Sequence, residues 1–236
     1  MTPTALAGIL PNMTDSQSAT EPTRSSKREA RKQQLLGAAR KLFLARGFAQ
    51  TSVSAIVAEA GVAQGTFYLY FKSKQSVLPH LRVEVLGAYL RAWARAMERS
   101  EGQPSDARLV EGLRAVADAV AANRDLTRLF REATAPVEQQ KVWLAGRRQL
   151  SEPLGKLIEA GQRDGSLRSD DPNIAAQLAL SLLDDLLYEA LEYQSPAPLE
   201  ATFIYGTRFL LRALRCDEGR VEALAPMSDV RKSEAS

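Results

Sequence analysis

One glycine, Gly61, separates two short stretches of helical periodicity, and that arrangement constrains the fold more than any other feature of the chain. Ahead of it, Thr51 and Ser52 offer capping hydroxyls to an apolar run of Val53, Ile56 and Val57, whose i, i+3, i+4 spacing predicts a short helix beginning near Val53. Glycine enters the left-handed conformation without a Cβ penalty, so the helix can stop there and the chain can turn sharply. A second helix is expected from about Gln64. Phe67 and Phe71, four residues apart, would pack inward, while Gln64, Gly65, Thr66, Tyr68 and Tyr70 would leave amides, hydroxyls and bare backbone outward. The pattern is that of a helix-turn-helix.

The charge around this unit is what a nucleic-acid surface requires. From Arg24 to His80 there are ten Lys or Arg against two acids, Glu29 and Glu59, whereas the whole chain carries only +3. The basicity is local, as expected of a surface that displaces counterions from phosphates.

Residues 28 to about 80 resemble the DNA-binding domain of TetR-family transcriptional regulators. The resemblance rests on L-F-L-A-R-G-F (42–48), T-S-V-S-A-I-V (51–57), A-G-V (60–62), G-T-F-Y-L-Y-F (65–71) and K-S-K (72–74). An ordered set of Gly, aromatic and Lys positions over about fifty residues is far more specific than a lone helix-turn-helix pattern. It implies DNA contacts at Lys27, Arg28, Thr51, Ser52, Ser54, Gln64, Gly65, Thr66, Tyr68, Tyr70, Lys72 and Lys74, with Tyr68, Tyr70 and Lys74 at backbone-contacting positions. Ala63 departs from the family, which often has a capping Ser there, so the recognition helix is expected to lack a side-chain cap.

The rest of the chain reads as all-α. Leu35, Ala38, Ala39 and Leu42 form a stripe on a first helix that ends at Gly47, with Phe48 folding back on Phe43 in a Schellman-like cap. Ser73 can cap a long fourth helix running to about Arg99, with Leu78, Leu81, Val85, Tyr89 and Trp93 on its apolar face. Further helices are expected near 105–122, 124–134, 136–163, 172–192 and 198–214, with a kink or break just before Pro153. The expected organisation is a disordered leader over 1–23, a helix-turn-helix DNA-binding domain over 24–73, a helical effector-binding and dimerisation domain over 74–215, and a flexible tail over 216–236.

Between Ile174 and Leu191 the apolar residues cover more of the helix circumference than one core-facing side needs, so part of that surface is expected to meet a partner. The resemblance implies a four-helix interface of a homodimer, with Leu178, Leu182, Phe203, Gly206 and Leu210 as candidates. A larger intramolecular core is the other reading. Two copies of a short recognition helix would also multiply affinity for a palindromic operator.

Chemistry is thinly represented. There is one histidine, His80, and one cysteine, Cys216, with no metal-ligand spacing, phosphate loop or nucleophile motif, so neither catalysis, a metal nor a cofactor is expected. No apolar run approaches the roughly 20 residues of a membrane span, and the leader is a poor secretory signal, so a cytoplasmic location is expected. Asp184 and Asp185 fall at the edge of an apolar arc and read as a polar rim. The resemblance further implies a C-terminal cavity lined by Trp93, Met97, Phe130, Trp143, Arg147, Leu183 and Leu187, suited to a small hydrophobic or amphipathic effector. The function expected is therefore a dimeric, ligand-responsive transcriptional regulator of the repressor type. The alternative is an architectural or scaffold DNA-binding protein whose C-terminal domain binds a protein partner.

Overall fold

A computed structural model describes residues 24–132, 137–192 and 199–229; the side chains of 24, 131–132, 137–147, 184, 187–192 and 199 lie outside that description. All regular structure among the described residues is helical: α1 (Arg24–Arg46), α2 (Val53–Glu59), α3 (Gln64–Tyr68), a 3-10 turn (Gln75–Val77), α4 (Leu78–Arg99), α5 (Ser105–Ala122), α6 (Arg124–Glu132), α7 (Val137–Asp164), α8 (Pro172–Glu192), α9 (Leu199–Ala213) and α10 (Glu218–Leu224).

Two apolar cores organise these helices. The first gathers Leu35, Leu42 and Phe43 of α1, Ile56 and Val57 of α2, Phe67 of α3 and Phe71 just beyond it, and Leu78, Leu81 and Val85 of α4. Leu126, Leu129 and Phe130 of α6 join them. The second contains Trp93, Leu109, Leu113, Leu154, Ile158, Leu183, Phe203, Leu211 and Val221. α4 therefore spans both, with its first half in one core and Trp93 in the other. A division at residue 73 cuts through the first core.

Local chemistry explains the helix ends around the helix-turn-helix. Gly47 takes φ +79°, and its N–H donates to the Phe43 carbonyl at 2.9 Å, a single-bond αL closure. The Phe48 ring folds back to 5.1 Å from Phe43. Ser52 caps α2 by accepting from the Ala55 N–H at 3.1 Å. Gly61 at φ +62° makes the turn. Ser73 engages Ser76 ahead of the 3-10 turn, and α4 starts only at Leu78, so the expected direct cap of α4 by Ser73 is replaced by a tighter lead-in.

α7 is continuous through Pro153, so of the kink or break expected there the break does not occur. One expectation is corrected. Within 216–236, expected to be a flexible tail, Glu218–Leu224 instead form α10 and pack. Asp217 caps it through the Gly219 and Arg220 amides, and Val221 is fully buried. Arg220 makes a bidentate pair with buried Asp106 at 2.7 Å on each arm, and Arg208 donates to the Ala225 carbonyl at 2.6 Å and pairs with Glu222.

Candidate nucleic-acid interface

The recognition helix α3 is held from behind and bare in front. Phe67 is fully buried and Phe71 nearly so, their rings 5.4 Å apart. Gln64, Gly65 and Tyr68 are exposed, Thr66 is half-buried, and no side chain caps the helix at Ala63. Tyr68 stands edge-on to Phe67 at 5.5 Å and stays half exposed. Tyr70 is half-buried and packs against the first core. The amide, methyl and hydroxyl groups at the start of this helix form the set that reads base edges in a major groove. Leu69, which follows α3, is 72% exposed and adds an apolar side chain to this surface.

The flanking residues divide into two groups. Ser52, Ser54, Lys72, Lys27 and Arg28 are exposed, and the Ser52 and Ser54 hydroxyls lie 2.8 Å apart. Thr51 and Lys74 belong inside the fold. Thr51 is 2% exposed, and its hydroxyl lies 2.8 Å from the Gly47 carbonyl and 3.3 Å from that of Leu42, so the side chain pins the α1–α2 loop and offers nothing to DNA. Lys74 reaches back across 26 residues. Its ammonium donates to the carbonyls of Phe48 (2.6 Å), Thr51 (2.7 Å) and Ala49 (3.2 Å) and sits 4.5 Å from the Phe48 ring centroid. An ammonium has three N–H donors, and all three are committed. The expected phosphate contact gives way to a clamp on the loop that leads into the helix-turn-helix.

His80 stacks edge-on to Phe71 at 5.4 Å. Burial and then the nearby Lys32 charge lower its pKa, against a smaller opposing pull from Glu29, so the ring is neutral at pH 7 and serves as packing. Cys216 is buried, and its thiol is pushed up to about 11 by burial and by the Asp106 carboxylate, which leaves it unreactive.

Four of the residues expected around an effector have described side chains, and they fall in or against two different cores. Trp93 lies in the second core, its ring where a Cβ on Gly112 would meet it at 2.5 Å, with Met97 beside it. Leu183 is buried in that same core. Phe130 belongs to the first core, because α6 turns its end toward α1 and α4; Arg82 covers its ring at 4.8 Å and donates to its carbonyl at 2.8 Å. Trp143, Arg147 and Leu187 have side chains outside the described residues.

The dimer candidates are also redistributed. Phe203, Gly206 and Leu210 face inward, and a Cβ on Gly206 would come within 2.7 Å of Leu186 of α8. Leu182 is half-buried against the second core. Among the described side chains of α8 and α9, the large apolar ones left to solvent are Ile174, Leu178, Tyr205 and Phe209, and of these only Leu178 is among the sequence candidates. Tyr205 and Phe209 are four apart, one helical face away from the stripe read from the sequence. No metal-binding cluster of His, Cys, Asp or Glu occurs among the described residues, and no helix among them is long and apolar enough to cross a membrane.

Residues 35–81 match the family described as "Bacterial regulatory proteins, tetR family", and residues 102–187 match "Tetracyclin repressor-like, C-terminal domain". The "Fatty acid metabolism regulator protein" of Bacillus subtilis is 42% identical over 57 residues, which are 24% of this chain and 29% of that protein. The chain thus spans under a third of that relative's length. The "HTH-type transcriptional repressor KstR2" of Rhodococcus jostii is 28% identical over 187 residues, 73% of this chain and 83% of that protein. Among solved structures, the "fatty acid degradation regulator FadR" from Bacillus halodurans superposes with a TM-score of 0.63 at 23% identity, over 79% of this chain and 97% of that one.

Proposed function

The chain belongs to the TetR family of bacterial regulators, and from that premise we propose that it is a dimeric repressor that binds a palindromic operator and is released by a small apolar or amphipathic effector. The observation that carries the reading is the recognition helix. Gln64, Gly65 and Tyr68 stand free on a basic unit whose aromatic side, Phe67 and Phe71, is locked in the core. Gln64 and Thr66 read base edges, while Ser52, Ser54, Tyr68 and Lys72 hold phosphates. Dimerisation uses the exposed face of Leu178, Ile174, Tyr205 and Phe209. An apolar effector agrees with the apolar second core and with relatives whose names refer to fatty acid metabolism.

Selection of bound duplexes from a random pool tests the DNA half of this reading. An inverted repeat should be recovered, and a free long-chain fatty acid such as oleate should then release it. A pool that returns no consensus would leave an architectural DNA-binding role in its place.

A further inference from the structure

We propose that Arg114 receives the carboxylate of an oxygenated, amphipathic acid, in a place that Glu200 occupies as a displaceable internal competitor. That role rests on the effector reading above and adds to it a head-group contact and a ligand class. Arg114 lies on α5, and Glu200 lies in the first turn of α9. The Arg114 Nη2 donates to Glu200 Oε1 at 2.7 Å and its Nη1 donates to Oε2, the two-pronged pairing by which a guanidinium recognises any carboxylate.

What lies beneath the pair separates it from an ordinary surface contact. The Arg114 guanidinium sits 3.9 Å from the centroid of the Phe203 ring, and Phe203 is 3% exposed and part of the second core. Arg114, with its own side chain 36% exposed, is thus a charged cover between water and that core. One turn beyond Phe203, on the same face of α9, stands Thr207, which is fully buried. Its hydroxyl has no hydrogen-bond partner among the described residues. A buried hydroxyl left in that state is unfavourable, and an oxygen on a ligand seated there would satisfy it. Glu200, Phe203 and Thr207 fall at i, i+3 and i+7, so a carboxylate site, an apolar ring and an unmet hydroxyl follow one another over about 10 Å. The complement of that row is an acid with an apolar body and a second oxygen along it.

Exchange of one carboxylate for another is feasible because the resident pair is weakly held. Both side chains are partly exposed, and ion pairs of that kind contribute little net stability. An incoming acid recovers the same two hydrogen bonds and adds an apolar body to bury against Phe203. Glu200, once displaced, remains in the first turn of α9, where the helix dipole favours a carboxylate. Its pair with Arg114 ties α9 to α5, so the exchange also loosens the helix whose Gly112 seats Trp93.

The test is calorimetric titration of the full chain with decanoate, decanol and a series of hydroxydecanoates. Glu200→Gln removes the competitor and should tighten decanoate binding by up to about fivefold, with decanol unchanged. Arg114→Gln should weaken decanoate by about tenfold or more, again with decanol unchanged. Arg114→Lys, which keeps the charge without the fork, should fall between Arg114→Gln and wild type. One hydroxydecanoate should bind more tightly than decanoate, and Thr207→Val should erase that gain alone. Tighter binding cannot come from misfolding, so Glu200→Gln decides the matter even where an Arg114 variant is unstable. Weaker decanoate binding by Glu200→Gln, or equal losses of acid and alcohol in Arg114→Gln, would reduce the pair to a structural tie and overturn the site. A flat hydroxydecanoate series would overturn the oxygenated class. Operator release is a separate readout: release by acid and alcohol alike, indifferent to Arg114, keeps the effector and removes this site, and Arg114-dependent binding without release does the reverse.

Discussion

Replacing Lys74 with Met separates a clamp from a phosphate contact. Met keeps an unbranched stem against the Phe48 ring and removes the charge and its three donors. The two shorter bonds, to the partly buried Phe48 and Thr51 carbonyls, are hydrogen bonds from an ion, and leaving such acceptors without a donor costs about 1–3 kcal/mol each. The exposed Ala49 carbonyl finds water instead and contributes little. Taking the middle of that range for two bonds and about 0.5 kcal/mol for the cation over the ring, the first core should lose about 4–5 kcal/mol.

In urea, with a slope of about 2 kcal/mol/M, the unfolding midpoint monitored by circular dichroism should fall by about 2–2.5 M. The salt dependence of DNA binding by the fraction that remains folded should be that of the wild type, since no phosphate partner has been removed. An unmoved midpoint together with a salt slope shallower by about one per half-site would refute this account, and would return Lys74 to the DNA backbone.

Three further outcomes are expected. Gln64→Ala should cost about 1–3 kcal/mol on the selected operator and relax preference at one base pair per half-site, measured by competition with random duplex; unchanged specificity would remove Gln64 from base reading. Phe209→Glu should yield a folded monomer by sedimentation, whereas Leu210→Glu should destabilise the second core itself because it buries a charge without a partner; a Phe209→Glu dimer would contradict the proposed face. Acid should loosen the second core first. Burial opposes ionisation of Asp164, but the Ser105 and Ser166 hydroxyls and amides hold it at about 2, and Arg220 with the Ala107 amide likewise outweighs burial to lower Asp106. Depressed folded-state values mean stability that is complete above the ordinary carboxylate range near 4 and lost as pH falls toward 2. Near-ultraviolet tryptophan dichroism should report that loss, and Asp106→Asn should blunt it.

The sequence made the helix-turn-helix legible because local rules alone determine it. A capping Ser52, a left-handed Gly61 and the Phe67–Phe71 pair each act within one or two turns, and each stands where it was expected. Lys74 and Thr51 were misread because their partners are backbone carbonyls, which leave no mark in a residue pattern. The inward face of α9 was misread for another reason. Phe203, Gly206 and Leu210 make a good apolar stripe, but Tyr205 and Phe209 make a second one, and periodicity cannot say which of two stripes meets α8. α10 is held by Val221 in the second core and by ion pairs with Asp106 and Arg208, and the Asp106 partner of Arg220 lies 114 residues away in sequence. Its Val221 and Leu224 spacing and the Asp217 cap were the available signals.

Trp93 and Phe130, expected to share one cavity, lie in different cores joined by α4. That separation bears on how any event in the second core reaches DNA. Arg82 fastens α4 to the end of α6 through the Phe130 ring and carbonyl, and one turn or two further along the Tyr89 hydroxyl lies 3.3 Å from that of Thr127. Arg40 of α1 pairs with Glu84 between these two points. α1, α4 and α6 are therefore tied together within the first core, while the second half of α4 is seated by Trp93 against Gly112 of α5. Close packing makes such joints move as units and not bend continuously. A ligand that displaced α5 from Trp93 would tilt α4 and carry the whole helix-turn-helix with it, changing the separation of two recognition helices in a dimer without altering the shape of either.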